Sequence, residues 1–181
     1  MKSIKNQNEE NCSCCPDSKR IVRLGHLFLD LETCNRCVGT DQVLDEVIKV
    51  ITPALELAGY QVEYHKIEMS TADMAKEHHF VSSPTIRVNG QDICNTVAES
   101  DCGCCSDISG ADVDCRVFEY KGNSYEIPPK TMLAEAILSS IFAPGDNKAV
   151  EYALPDNLKS FYDGKAQKES SCSCTNGCCK S

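Results

Sequence analysis

IVRLGHLFLDLETCNRCVGT, residues 21–40, is the stretch on which the fold turns. Its opening IVRLGHLFLDL puts apolar side chains on both alternating faces: Leu27, Leu29 and Leu31 on one, Val22, Leu24 and Phe28 on the other. That is the pattern of a central strand covered on two sides, since each face then needs its own apolar contacts. Cys34 and Cys37 follow, and from Thr40 onward Leu44, Val47, Ile48, Ile51, Leu55 and Ala58 fall on one helical stripe. Thr40 or Asp41 reads as the N-cap, Gly59 as the C-cap and Pro53 as the origin of a kink. Two cysteines two residues apart, where a strand hands over to a helix, can be a disulfide switch, half of a metal clamp or a chance spacing.

Beyond this unit, YQVEYHKI reads as a second strand, and TADMAKEHHF as a short helix capped by Ser70 or Thr71. In TIRVNGQDI, the Asn89-Gly90 pair between apolar residues signals a hairpin. Residues 94–115 are rich in Ser, Asp, Gly and Cys and read as a loop or insertion. RVFEYKGNSYEI alternates around Lys121-Gly122-Asn123 as a second hairpin, and Pro128-Pro129 start a helix whose Leu133, Ala136, Ile137 and Ile141 face a core. DNLKSFYDG suggests a short last helix.

A chain of 181 residues with 41% hydrophobic content can build one core with polar flanks. No apolar run approaches the roughly 18 residues of a membrane span, and the polar start lacks the apolar centre of a secretory signal, so membrane insertion is not expected and a cytoplasmic location is. A net charge of −9 without clustered Lys or Arg argues against nucleic acid as a partner. Fourteen cysteines in a compartment that keeps thiols reduced point instead to metal, metalloid or redox chemistry. Three domain segments result: a polar tail over residues 1–19 with Cys12, Cys14 and Cys15, a folded domain over 20–164, and a second tail over 165–181 with Cys172, Cys174, Cys178 and Cys179. Neither tail has the apolar content to offset its ordering entropy, so both are expected to be flexible.

A first strand, a C-x-x-C at its end, a long helix, and SSPTIRVNG with a proline just before a strand together resemble the thioredoxin fold over about residues 20–142. The resemblance implies an α/β domain with a central mixed sheet flanked by helices. It also implies that Pro84 is cis, packs beside the dithiol and leaves the strand backbone open to a bound partner. By that fold's logic Cys34 attacks a disulfide and Cys37 resolves the mixed disulfide. TCNRCVGT, ESDCGCCSDISG and DCRVFEYKGNSYEIPP further resemble an uncharacterised family of thioredoxin-like microbial proteins, a domain of unknown function. Its pattern falls on Cys34, Cys37, Cys102, Cys105 and Cys115. The chain departs from thioredoxin itself: it has no Trp, and Asn35-Arg36 stand inside the motif.

Thiolates are the reactive and the ligating form of cysteine, so what lowers a thiol's pKa matters. Arg36 supplies a cation within the motif, and a helix starting near Cys37 would add its unpaired N–H groups. The remaining thiols admit several readings. Cys102, Cys104 and Cys105 with Cys94 and Cys115 can complete a zinc site, or Cys102 and Cys105 can form a second exchange pair. Vicinal pairs such as Cys104-Cys105, Cys14-Cys15 and Cys178-Cys179 suit thiolate-bound soft ions: zinc, copper(I), As(III) or Hg(II). In composition and fold the chain resembles arsenic metallochaperones, which are also thioredoxin-like with vicinal cysteines; for the tails the plain alternative is unconstrained, oxidation-prone sequence.

The expectation is thiol–disulfide exchange at Cys34 and Cys37, with Pro84 and Arg36 in support, linked to soft metal or metalloid handling. Its partner would be a thiol or disulfide protein or the ion itself. The rivals are a non-enzymatic carrier of a thiophilic ion and a zinc-stabilised interaction domain.

Overall fold

The computed structural model describes residues 19–94, 97–143 and 151–171. Strand β1 (Arg20–Phe28) lies at the centre of a four-stranded mixed sheet of order β2-β1-β3-β4. It pairs in parallel with β2 (Tyr60–Glu68) from Arg20 opposite Tyr60 to Phe28 opposite Glu68. On its other side it runs antiparallel to β3 (Thr85–Val88), which turns through Asn89 and Gly90 into β4 (Gln91–Asp92). Both turn residues have positive φ, 52° and 86°, as a two-residue hairpin loop demands.

A parallel β1–β2 pair needs a crossover, and helix α1 (Asn35–Leu57) provides it. The helix starts five residues before Thr40, with Cys34 as its N-cap residue, and runs through Pro53 to a C-cap at Ala58. Gly59 follows with φ 80°. The short helix α2 (Ala72–Glu77) is capped by Thr71, whose Oγ1 accepts the N–H of Met74 at 3.2 Å.

Within the stretch expected to be a loop or insertion, residues 97–115 are more ordered than a loop. They contain β5 (Ala98–Asp101), helix α3 (Gly103–Ser109) and the start of β6 (Asp114–Tyr120), which turns through Lys121 and Gly122 into β7 (Asn123–Tyr125). Together β5, β6 and β7 form a second, antiparallel sheet. The composition hid this because the segment's buried groups are small and sulfurous: Cys102, Cys105, Ser109, Val113 and Cys115.

Helix α4 (Lys130–Phe142) packs against α1. One apolar cluster joins Val22, Leu24, Ile86 and Val88 of the first sheet to Leu44, Val47 and Leu55 of α1 and to Leu133 and Ile137 of α4. A second cluster gathers at the far end of β1, where Leu27, Phe28 and Leu29 meet Met69, Ala75, Phe80, Val113 and five cysteines. Helix α5 (Asp156–Ser171) closes it with Leu158, Phe161 and Tyr162, and Tyr162 donates its hydroxyl proton to Met69 O at 2.7 Å. This helix extends seven residues past the expected domain end at 164, because its first turns are anchored in the core and Lys168 reaches Asp107 O on α3. Among the described residues no helix is long and apolar enough to cross a membrane.

Helices α3 and α5 touch at a glycine. A Cβ on Gly164 would stand 2.6 Å from Ser109 O and 3.2 Å from Ser109 C. In an open helix Gly→Ala stabilises by about 0.5–1 kcal/mol. Here Gly164→Ala is expected to destabilise by about 1–3 kcal/mol, since backbone cannot yield as a flexible side chain does. Urea denaturation measures it, and a variant more stable than the parent would contradict this packing.

Candidate metal centre

Construction of the centre starts at Asp30. Its Oδ2 accepts the N–H groups of Glu32, Thr33 and Cys34 at 3.1, 2.6 and 2.9 Å, and the Thr33 hydroxyl at 2.9 Å. Burial opposes the charge on this carboxylate, but the donors from Thr33, Cys34 and Glu32 outweigh it and hold the pKa below 3.8. The loop closed in this way delivers Cys34 to the start of α1, fully buried between exposed Thr33 and Asn35.

From the second sheet come three more thiols. Cys102 is the N-cap residue of α3, and its N–H donates to Val113 O at 2.9 Å. Cys105 sits three residues on, within the first turn, and Cys115 stands on β6 opposite Ser100 of β5. The sulfurs of Cys34, Cys102, Cys105 and Cys115 all lie within 4.8 Å of one another, and all four residues are buried. Cys34 Sγ is 3.9 Å from Cys102 Sγ and 3.8 Å from Cys105 Sγ, while Cys105 and Cys115 approach to 3.3 Å.

A tetrahedron of thiolates around one ion at a metal–sulfur distance of about 2.3 Å has edges of about 3.8 Å. The two Cys34 distances lie at that edge length, Cys105–Cys115 is shorter, and the four sulfurs are close enough together to hold one ion. Without an ion, thiols this close cannot all carry charge, and their pKa values split. Hydrogen bonds from Cys102, then Cys105, Cys115 and Cys37, push the Cys34 pKa far down. Cys102 is held at about 7, first by Cys105 and then by Cys115. Cys105 and Cys115 are pushed up, each chiefly by Cys102. Thiols this close share protons because their charges cannot all be borne together, and a soft cation at the centre removes that conflict.

Cys37 is the fifth buried thiol and falls outside the mutually close four. Its Sγ is 3.3 Å from Ser83 Oγ, which also accepts the Leu29 N–H at 3.1 Å. A hydrogen bond with Cys34, then burial, and then the charge on Cys34 push the Cys37 pKa up. Pro84 follows through a cis Ser83–Pro84 peptide and is buried. Ser83 O accepts the Arg116 N–H at 2.7 Å, so strand β6 of the same chain occupies that carbonyl.

Arg36 does something other than the expected charge donation to a thiolate. Its guanidinium, 9% exposed, gives Nη1 to Ser100 O at 3.0 Å and Cys115 O at 3.2 Å, and Nη2 to Asp101 O at 2.6 Å and Glu126 Oε1 at 2.5 Å. It is a strut from α1 to the second sheet, chosen by geometry: a planar five-donor fork satisfies several strand carbonyls at once.

The other candidates disperse. Cys94 lies beside Arg116 and Asp92, where burial pushes its thiol up to about 11, and does not join the four as a ligand. Cys104 is half-buried on α3, outside the four. Cys12, Cys14, Cys15, Cys172, Cys174, Cys178 and Cys179 lie outside the described residues. His26 is a core histidine with Nδ1 3.1 Å from Asp41 Oδ1, His65 is exposed, and His79 stacks on Tyr152. What sequence reasoning missed was the partnership of Cys34 with the insertion. Cys102 and Cys105 repeat the C-x-x-C spacing of Cys34 and Cys37, and that was the available signal.

Residues 21–137 match the family described as Domain of unknown function (DUF2703). The chain belongs to the DUF2703 family. The DUF2703 match runs from β1 into α4 and takes in Cys34, Cys37, Cys102, Cys105 and Cys115, whereas α5, which closes over them, lies beyond it. No curated protein and no solved structure matches the chain.

Arg36→Lys tests the strut. One ammonium cannot satisfy four acceptors on three segments, so the variant is expected to lose at least about 2 kcal/mol of stability. An unchanged urea midpoint would contradict the role.

Proposed function

We propose that this chain binds one thiophilic metal or metalloid ion in a closed four-thiolate centre made by Cys34, Cys102, Cys105 and Cys115. The observation that carries the reading is the gathering of four buried sulfurs within 4.8 Å of one another. Four thiolates with no open position suit zinc best, in a site that ties segments together rather than one that turns over substrate. Copper(I), As(III) and Hg(II) remain in the same soft class and compete for the same sulfurs.

The frame supports this as a thioredoxin-like arrangement put to a different use. The sheet order β2-β1-β3-β4, the antiparallel β3 and the cis proline beside the first helix are the features that favour that relationship. In such a frame the carbonyl before the proline would meet a partner chain; here it meets Arg116. That contact supports a reading in which the chain's own cysteine-rich segment takes the place of a docking thiol partner. Disulfide exchange with a separate protein through Cys34 and Cys37 is the second reading, favoured by their place at the start of α1. Both thiols are 0% exposed, which sets it behind the ion-binding reading.

The test uses the full-length chain with its seven terminal cysteines changed to serine, purified anaerobically and loaded with zinc. About one equivalent is expected to survive desalting. Cys34→Ala, Cys102→Ala, Cys105→Ala and Cys115→Ala should each lose it, while Cys94→Ser and Cys104→Ser keep it. Full retention in Cys34→Ala would refute the centre.

A further inference from the structure

Helix α1 carries two apolar stripes, and the core uses one of them. Leu44, Val47, Ile51 and Leu55 are buried in the cluster shared with the first sheet and α4. Val50, Pro53, Ala54 and Leu57 recur at i, i+3, i+4 and i+7, which sets them together on another face of the same helix. No described residue covers that face: Val50 is 76% exposed and Leu57 92%, with exposed Pro53 and Ala54 between them. A helix face turned to water ordinarily carries charged and polar groups, and a contiguous apolar one marks a contact surface.

We propose that this face is the interface of a symmetric dimer, in which α1 of a second copy of this chain packs antiparallel against it. The inference stands apart from the ion-binding reading above. A second copy is the occupant because the face complements itself in charge and in shape. Lys49 and Glu56 are both exposed, lie seven residues apart on one flank of the stripe, and form no ion pair among the described residues.

A two-fold axis crossing α1 beside Pro53 and Ala54 reverses the helix direction and keeps the charged flank on the same side in both copies. It lays Val50 against the partner's Leu57, and it offsets Lys49 from the partner's Glu56 by only about 3 Å along the axis, within reach of two long side chains. Symmetry makes each contact twice. The small side chains of Pro53 and Ala54 stand at the crossing, where the two backbones come nearest. The partner's Leu57 also has a seat, because Val50 lines a cleft between α1 and α4 together with Val47, Ile51 and Ala134.

Sedimentation equilibrium tests this on the full-length chain with its seven terminal cysteines changed to serine, in a phosphine reductant so that no intermolecular disulfide contributes. A reversible monomer–dimer equilibrium is expected at protein concentrations up to about 200 μM. Val50→Lys and Leu57→Lys place their new side chains in solvent in the monomer, so both should fold as the parent does. Each should raise the dimer dissociation constant at least about tenfold, since symmetry applies each change twice. Lys49→Glu and Glu56→Lys should each weaken the dimer at least about threefold by setting like charges side by side. An equimolar mixture of those two variants should regain the parent affinity, because both contacts of the mixed dimer then pair Glu with Lys. A parent that stays monomeric, a dimer that both Val50→Lys and Leu57→Lys leave intact, or a mixture no tighter than its separate components would overturn the proposal.

Discussion

Four sulfur atoms brought together away from water impose the constraint around which this fold is arranged. Thiols are weak hydrogen-bond formers and buried thiolates repel, so neither a fully protonated nor a fully ionised set is comfortable. Three of the sulfurs come from the second sheet and its helix, and the fourth from the end of the first sheet's central strand. Whatever satisfies the set also fixes how the two sheets meet. Protein contacts alone do part of that work: Arg36 reaches three strand carbonyls and Glu126, Arg116 N–H reaches Ser83 O, and the Arg116 guanidinium grips Asp92 with both Nη atoms at 2.9 and 2.7 Å. An ion at the centre would complete it.

Much of the first sheet was legible from periodicity. The two-faced apolar run of β1, the stripe from Leu44 to Leu55 and the Asn89-Gly90 turn each encode local geometry directly, and each leads to an observed element. The stretch from 94 to 115 was not legible, because its buried residues include cysteines and a serine, which carry no period of 2 or 3.6 that an apolar count detects. Helix α5 ran past its expected end because tertiary contacts, not composition, extend it. Arg36 was legible as a cation but not as a strut, since its acceptors are backbone carbonyls 64 to 79 residues away in sequence.

The candidate site illustrates the same limit. A pair of cysteines at a strand-to-helix junction has one meaning if the pair faces solvent and another if a neighbouring segment covers it. Here α3, β6 and α5 cover it, and the pair divides: Cys34 joins the insertion's thiols, and Cys37 stays with Ser83. Cys34 thus belongs both to the C-x-x-C spacing and to the four clustered thiols, and the proposed reading turns on whether those four hold an ion.

X-ray absorption at the zinc edge of the zinc-loaded, full-length chain with serine at its seven terminal cysteine positions tests that most directly. The account predicts a single shell of four sulfur atoms at about 2.3 Å. A shell containing nitrogen or oxygen, or fewer than four sulfurs, would contradict it.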